Sequence, residues 1–479
     1  MSNHLKILFI ASEAAPFVKS GGLGDVVGSL PHALRGLGAE VKVVLPKYGQ
    51  INEKWLADKK PVASYEVHLD WRKPIADIFL IQPDVYAVVN DYYFNRENIY
   101  GYGDDFERFA FFVKAALQLL PLIDFIPDII HFHDWQTGLG CIYLKDVFSH
   151  FDAYKNIKSV FTIHNLQYQG NFLANVLPQI DLNYGYFAPD KIEFYGNASF
   201  MKAGLTYADF LTTVSPTYAH QIQTAEYGYG MQGMLASRKH ELLGILNGID
   251  YNEYNPATVK SLAQNFNIDD MEGKAACKAH VQKMLGLPIN PGIPIFTIIS
   301  RLVEQKGIDI IEPALDTFMN HRDMQIIVLG NGHSHYEQIF ERAAYYHPHK
   351  MSANIMFDAD LAHQIYSAAD FFLMPSLFEP CGLGQLIAMR YGAVPVVRNT
   401  GGLADTIMHY NYETGQGNGL SFNDYDAGAL IWAVDEALSL FHNKSHYQKA
   451  QNNAMTADFS WESSAKQYID LYNKLRMGN

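Results

Sequence analysis

The sequence predicts an α/β protein made of two doubly wound domains, each with a parallel sheet covered by helices on both faces. Two observations support this fold class. The chain has 479 residues, which exceeds the size at which one hydrophobic core usually stops growing. Short apolar runs rich in β-branched residues also alternate with helical stretches, in two successive series.

The first series of predicted strands fills the first half of the chain. Its strands are Lys6–Ala11, Val41–Leu45, Ile129–Phe132, Ser159–Ile163, Phe210–Val214 and Leu243–Leu246. The strands of the second series are Ile295–Ile299, Gln325–Leu329, Asp370–Met374 and Ala393–Val397. We therefore predict an N-terminal domain over 1–247, a C-terminal domain over 248–455, and a closing helical segment over 456–479 that packs back toward the N-terminal domain.

Composition and charge exclude several classes of function. Apolar residues make up 48% and charged residues 18%, which is typical of globular proteins. A formal net charge of -14 disfavours binding to nucleic acid or anionic lipid, and no segment reaches membrane-spanning length without charges. The cysteines Cys141, Cys277 and Cys381 are odd in number and widely separated, so we predict no disulfide framework and a cytoplasmic location.

Functional residues are expected after strands, because ligands of open parallel sheets bind outside the carboxyl ends of the strands. Two such domains facing each other predict a central cleft bordered by both sets of loops. After the first strand, Lys19-Ser-Gly-Gly-Leu-Gly-Asp25 leads into a helix, where glycine amides and the helix N-terminus could hold a phosphate beside Lys19. The spacing of Gly22, Gly24 and Gly28 is not a dinucleotide fingerprint, and a tight turn with a solvated lysine is the alternative.

A second cluster follows the strand at Ile129. His131-Phe-His133-Asp134 ends that strand, and His164 follows the next one. Two imidazoles on one face of a strand are compatible with a metal hydrolase, with Asp134 and His164 as further ligands. The alternative, which we favour, places neutral imidazoles and a carboxylate around a sugar, with Asp134 as a base or cation stabiliser.

The second domain carries cations and glycine turns at its strand ends. Arg301 and Lys306 follow the strand at Ile295, where a guanidinium fork and a point charge could clamp a diphosphate. Glu379 precedes a glycine turn that opens a helix, and Thr400-Gly-Gly402 repeats this arrangement after the next strand. The amides of such helix starts bind phosphate.

These motifs, in this order, resemble the bacterial glycogen synthase and plant starch synthase family, retaining glycosyltransferases with two Rossmann-like domains (GT-B). The resemblance covers nearly the whole chain. It is carried by Lys19–Asp25, His133–Trp135, Thr162–Gly170, Asn247–Asp250, Ser300–Arg301, Lys306–Gly307, Glu379–Leu383 and Thr400–Leu403.

The resemblance implies transfer of glucose from ADP-glucose to the non-reducing 4-OH end of an α-1,4-glucan such as glycogen, with retention of configuration, and without metal or cofactor. The catalytic residues it implies are Glu379, Arg301, Lys306, Asp134 and His164. The donor-binding residues are Lys19, Gly22, Asn247, Tyr366, Cys381, Gly382, Leu383, Thr400, Gly401 and Gly402, with Tyr366 placed against the base. The acceptor-side residues are Tyr93, Arg96 and Tyr100.

Two departures from the family pattern leave the base preference open, so UDP-glucose is an alternative donor. Gly384 stands where many members carry a hydroxyl or amide side chain, and His333 stands where an acidic residue is common. An α-glucan phosphorylase or epimerase of the same architecture, and a non-catalytic glucan-binding protein, are further alternatives.

Overall fold

The structure is a computed structural model that describes residues 4–478. The chain divides into two compact units. Unit 1 comprises the chain up to Leu246 together with the segment from Trp461 onward, and unit 2 comprises Asn247–Ser460. No helix within residues 4–478 is long and apolar enough to cross a membrane.

Unit 1 is built from strands β1–β12 and helices α1–α7 and α16. The strands are β1 Lys6–Ile10, β2 Glu40–Pro46, β3 Ala63–Glu66, β4 Ile75–Gln82, β5 Val85–Val89, β6 Ile129–His133, β7 Lys158–Ile163, β8 Asn171–Leu173, β9 Glu193–Phe194, β10 Asn197–Ser199, β11 Phe210–Thr213 and β12 Leu242–Gly244. The helices are α1 Gly22–Gly36, α2 Asp91–Phe94, α3 Asp105–Leu119, α4 Trp135–Ile142, α5 Phe200–Tyr207, α6 Pro216–Gln221, α7 Gln232–Ser237 and α16 Trp461–Met477.

Unit 2 is built from strands β13–β18 and helices α8–α15. The strands are β13 Ile295–Ile299, β14 Gln325–Leu329, β15 Met351–Asn354, β16 Phe371–Met374, β17 Val394–Arg398 and β18 Leu420–Phe422. The helices are α8 Glu272–Met284, α9 Ile308–His321, α10 Ser334–Tyr346, α11 Ala359–Ala368, α12 Gly384–Arg390, α13 Gly401–Thr406, α14 Ala427–His442 and α15 Lys444–Thr456.

The described part of each unit contains a doubly wound sheet. In unit 1 the strand order is β12-β11-β7-β6-β1-β2-β5-β4-β3, parallel from β12 to β5 and antiparallel beyond it. In unit 2 the order is β15-β14-β13-β16-β17-β18, and all pairs are parallel. The predicted α/β fold class is confirmed.

Strand order reverses once in each sheet, between β1 and β6 in unit 1 and between β13 and β16 in unit 2. Loops leaving the two strands at such a point diverge and leave a crevice where ligands bind. The loops concerned are those after β1 and β6, which carry Lys19 and Asp134, and those after β13 and β16, which carry Arg301 and Glu379. Each unit therefore places predicted site residues at its own switch point.

The closing helix α16 belongs to unit 1 and is anchored there by buried polar contacts. Tyr472 is fully buried, and its hydroxyl lies 2.7 Å from His131 Nδ1 on β6. Ser464 Oγ donates to the carbonyl of Leu246. The helix thus covers the sheet from which the unit 1 site residues emerge.

Candidate active site

The switch point of unit 2 holds a cation and an ion pair. Arg301 is the second residue after β13 and is exposed. Lys306 lies five residues on, and its Nζ is 2.5 Å from Glu379 Oε2 in the loop after β16. Gly307 follows at φ 77°, and a Cβ there would lie 2.1 Å from the carbonyl oxygen of Pro375. Only glycine therefore allows the two loops to come close enough for Lys306 to reach Glu379.

The two glycine turns of unit 2 pack directly on each other. A Cβ on Gly402 would lie 2.3 Å from the carbonyl oxygen of Cys381, and the Gly402 N–H donates to the carbonyl of Glu379 at 3.0 Å. In the described chain neither α12, which begins at Gly384, nor α13, which begins at Gly401, is capped by a side chain. Two helix starts without side-chain caps thus lie beside Glu379, an arrangement typical of anion sites.

Cys381 and Asn247 support this loop from within. Cys381 is buried, and burial raises the pKa of its thiol to about 12, so the thiol stays protonated and weakly nucleophilic. The backbone N–H of Asn247 donates to the Cys381 sulfur. Asn247 Oδ1 is buried and has no hydrogen-bond partner among the described residues. Both side chains are buried, so Cys381 has the surroundings of a structural residue.

Tyr366, which the family resemblance places against the base, is buried inside unit 2. Its side chain on α11 is 5% exposed, and its ring packs against Phe372 and Tyr391 at centroid distances of 5.6 and 6.0 Å. Phe357, three residues after β15, is 80% exposed at the carboxyl edge of the same sheet. An exposed aromatic ring is therefore offered there by Phe357 and not by Tyr366.

At the two departures from the family pattern, the structure explains the absence of a side chain at Gly384 and shows a backbone contact at His333. A Cβ on Gly384 would lie 2.7 Å from the Phe372 ring, so the start of α12 packs on that ring. The backbone N–H of His333 donates to the carbonyl of Leu302 at 2.9 Å, just before α10. This bond ties the loop after β14 to the loop that carries Arg301.

In unit 1 the glycine loop after β1 is held by Glu13. The Glu13 carboxylate accepts two hydrogen bonds from Ser20, one from its backbone N–H and one from its hydroxyl at 2.8 Å. It accepts a third from the hydroxyl of Tyr100 at 2.6 Å. Helix α1 then begins at Gly22 with no side-chain cap. Lys19 Nζ lies 2.8 Å from Asp25 Oδ1 in the first turn of α1, so the predicted phosphate-binding lysine is positioned at this helix start.

Asp134 combines a strained backbone with a perturbed carboxyl group. It precedes α4 at φ 56° and ψ -179°, close to a region that is populated almost only by glycine. Its Oδ1 accepts the backbone N–H of His164 at 2.7 Å. Loss of solvent around the carboxyl group raises its pKa to about 7, and the charge of Glu13 adds to the shift. Strain and a pKa near neutrality are both common at catalytic positions.

The histidines near Asp134 form a buried network that is not arranged for metal binding. His131 Nδ1 faces Tyr472 and its Nε2 faces Thr162, so both ring nitrogens are used. His133 Nδ1 lies 3.0 Å from His164 Nε2. Burial lowers the pKa of all three rings, that of His164 to about 3, so they are neutral. No group of three or more His, Cys, Asp or Glu side chains in residues 4–478 could hold a metal ion.

The predicted acceptor residues all make internal contacts. Tyr93 is 1% exposed, and its hydroxyl donates to Glu107. Arg96 binds both carboxylate oxygens of Asp104 at 2.6 Å. Tyr100 donates to Glu13. These side chains hold the acceptor-side loop and the glycine loop in place, and Tyr93 offers no surface to a sugar ring.

Sequence comparisons match nearly the whole chain to known families and to related proteins. The family described as "Starch synthase catalytic domain" matches residues 6–237, and that described as "Glycosyl transferases group 1" matches residues 285–456. Glycogen synthase of Alkaliphilus metalliredigens is 47% identical over 475 residues, covering 98% of this chain and 100% of its own. Glycogen synthase of Desulforamulus reducens is 47% identical over 475 residues, covering 98% of this chain and 99% of its own.

A solved structure matches the same extent of chain. The catalytic domain of starch synthase IV from Arabidopsis thaliana, bound to ADP and acarbose, superposes with a TM-score of 0.93 at 34% identity. The match covers 99% of this chain and 100% of that one. The shared architecture is the GT-B fold with two Rossmann-like domains.

Proposed function

The chain belongs to the glycogen and starch synthase family of glycosyltransferases, and from this premise we propose that its donor is ADP-glucose and its product an α-1,4-linked glucan formed with retention. A nucleotide-sugar donor and a glucan acceptor follow from the family itself. The adenine nucleotide is supported by the starch synthase IV structure, which contains ADP.

The assignment of a sugar diphosphate as donor rests on one observation, the set of anion-binding groups at the unit 2 switch point. Arg301 and Lys306 lie at one strand end, beside the uncapped helix starts at Gly384 and Gly401. Together they can bind a diphosphate and stabilise the charge that develops on it as the sugar–phosphate bond breaks. In this proposal Glu379, which pairs with Lys306, holds the hydroxyls of the attached glucose.

Residues of unit 1 have the complementary role in this proposal. Lys19 and the amides at Gly22 add to phosphate binding, while Asp134 stabilises the positive charge that builds on the glucose ring. The neutral His164 contributes hydrogen bonds without adding a competing positive charge, because its pKa of about 3 keeps it unprotonated.

The test is a donor panel with the purified enzyme. Labelled ADP-glucose and UDP-glucose are each supplied with glycogen, and incorporation into the polymer is measured. We expect ADP-glucose to be preferred, and we expect the new linkages to be released by an α-1,4-specific glucanase. Preference for UDP-glucose would overturn the nucleotide assignment, and no transfer from either donor would overturn the activity.

We expect Phe357→Ala to raise the KM for ADP-glucose about tenfold with a much smaller change in kcat. Stacking of a base on an aromatic side chain is worth about 1–3 kcal/mol, and it is the same in ground and transition states. Steady-state kinetics with varied donor measure this. Phe357→Tyr, which keeps the ring, should behave as wild type. An unchanged KM in Phe357→Ala would show that the base lies elsewhere.

A further inference from the structure

An exposed tyrosine face lies on unit 1 beside the loop that follows β7. It consists of Tyr168 in that loop, Tyr195 in the turn between β9 and β10, and Tyr229 before α7. Their side chains are 50%, 79% and 36% exposed. Tyr168 belongs to the Thr162–Gly170 motif, and only the fold brings Tyr195 and Tyr229 beside it.

Two of these tyrosines stand where the backbone disfavours them. Tyr195 and Gly196 have φ values of 47° and 81°, and Tyr229 and Gly230 have 47° and 86°. In the hairpin, Asn197 pairs with Phe194, so Tyr195-Gly196 is a two-residue loop with both φ angles positive. Such loops favour Asn-Gly or Asp-Gly. A large aromatic residue in this backbone region is strained, and strain of this kind clusters at functional sites.

The tyrosine face is packed into one surface. A Cβ on Gly230 would lie 2.9 Å from the Tyr195 ring, so that ring rests on the second Tyr-Gly pair. Gln169 Nε2 donates to the carbonyl of Tyr229 at 3.0 Å. Burial raises the pKa of Tyr229, and the nearby hydroxyl of Tyr168 adds to that shift. Gly170, at the end of the Tyr168 loop, packs on Trp135, since a Cβ there would lie 2.3 Å from the Trp135 ring, so this loop links the face to the segment that carries Asp134.

The chemistry of this face suits a neutral polymer rich in hydroxyl groups. The three segments, 165–170, 193–199 and 226–231, contain no lysine or arginine; the first two carry asparagine or glutamine amides beside the tyrosines, and the charged residues are Glu193 and Glu226. Tyrosine presents an apolar ring and a polar tip, which matches the apolar faces and hydroxyl edges of glucose rings. An anionic ligand would find no cation in these segments.

We propose that the tyrosine face binds the α-glucan acceptor chain where it leaves the Asp134 region. This inference rests on the proposed function, and it assigns the acceptor contact to residues other than Tyr93, Arg96 and Tyr100.

The experiment uses Tyr195→Asn and Tyr229→Asn in the full-length enzyme. Asparagine accepts positive φ, so neither variant should melt at a lower temperature than wild type. Each should raise the KM for glycogen and for maltoheptaose roughly tenfold, as expected for loss of an aromatic anchor, while the KM for ADP-glucose stays unchanged. Tyr345→Ala is the matched control, since Tyr345 is also 79% exposed but lies on α10 of unit 2.

Retardation in native gels that contain glycogen provides a readout independent of turnover. Weaker retardation of both Asn variants than of wild type and Tyr345→Ala supports the proposal. Unchanged retardation and unchanged acceptor KM would overturn it, even if the donor panel confirms the synthase activity. If wild type transfers no glucose, the proposed function fails, and the gels alone decide whether the face binds glucan.

Discussion

Replacing Asp134 by Asn should lower kcat about a thousandfold while the protein stays folded. Groups that act as base or charge stabiliser at a reacting centre typically contribute 10²–10⁴-fold. The substitution removes the charge but keeps an acceptor for the His164 N–H, which Asp134 Oδ1 binds at 2.7 Å. Asparagine also tolerates positive φ better than most residues. Steady-state turnover with ADP-glucose and glycogen measures the loss.

The wild-type pH profile should report the same carboxylate. Asp134 has a pKa of about 7, raised mainly by loss of solvent and further by Glu13, against the backbone N–H groups of His164 and Asn165 that lower it. Because the ionised form stabilises positive charge, kcat/KM should rise as the pH increases through about 7. The Asn variant should lack this step.

The raised pKa of Asp134 also makes the stability of the protein fall as the pH rises. Between the unfolded pKa of about 4 and the folded pKa of about 7, the folded state binds the proton more tightly. The stabilisation is full below about pH 4 and is lost as the pH rises to 7. Denaturant unfolding should therefore show wild type losing stability over this window relative to Asp134→Asn.

Asp128→Asn is the control for both measurements. Asp128 precedes β6 at the opposite edge of the sheet, where its carboxylate accepts the Lys6 N–H at 2.8 Å. The Asp128→Asn variant should retain wild-type turnover and the wild-type pH profile. Near-normal kcat in Asp134→Asn, or a wild-type step at pH 7 in that variant, would remove Asp134 from the mechanism.

The sequence predicts best those elements whose pattern is local and continuous. The strands Ile295–Ile299 and Gln325–Leu329 have the predicted bounds because buried parallel strands are uninterrupted apolar runs. Strands β3 and β4 were not predicted, since they are partly exposed antiparallel strands outside the parallel core. Strand β15, with the sequence Met-Ser-Ala-Asn, has one buried apolar side chain and no visible period.

Strand β15 has no recognisable sequence pattern, and this limits what the sequence reveals about the site. Arg301 and Glu379 could be located because each follows a recognisable strand, and glycine turns mark the helix starts beside them. Phe357 follows β15, which no sequence pattern marks, so its place at this sheet edge becomes apparent only in the fold, whereas Tyr366 is implied by the family resemblance alone. The internal bonds of Tyr100 to Glu13, 87 residues away, depend on tertiary structure that no local pattern encodes.

Loss of either predicted diphosphate-binding cation, Arg301 or Lys306, should cause the second large fall in activity. We expect Arg301→Ala and Lys306→Ala each to lower kcat at least a hundredfold. In the proposed reaction both cations face a diphosphate that gains negative charge as the glycosidic bond breaks, and removing one such donor costs about 3 kcal/mol of transition-state stabilisation. Arg301→Lys should also lose most activity, because a point charge cannot replace a forked guanidinium.

The structure predicts that the two alanine variants differ in stability. Arg301 is exposed, so Arg301→Ala should unfold at the wild-type denaturant concentration. Lys306 neutralises Glu379, which is 5% exposed and otherwise has only Ser376 Oγ at 3.3 Å among its side-chain partners in the described chain. Lys306→Ala leaves this carboxylate without its counter-charge, which should lower the free energy of unfolding by about 1–3 kcal/mol.

Arg322→Ala is the matched control for the loss of an arginine from unit 2. Arg322 pairs with Asp435 and lies just before β14, at the edge of the sheet away from Arg301. Its removal should leave kcat unchanged. If saturating ADP-glucose restored near-normal kcat to both Arg301→Ala and Lys306→Ala, the two cations would serve ground-state binding only. The charge developing on the leaving diphosphate would then have to be stabilised by the helix starts at Gly384 and Gly401 without them.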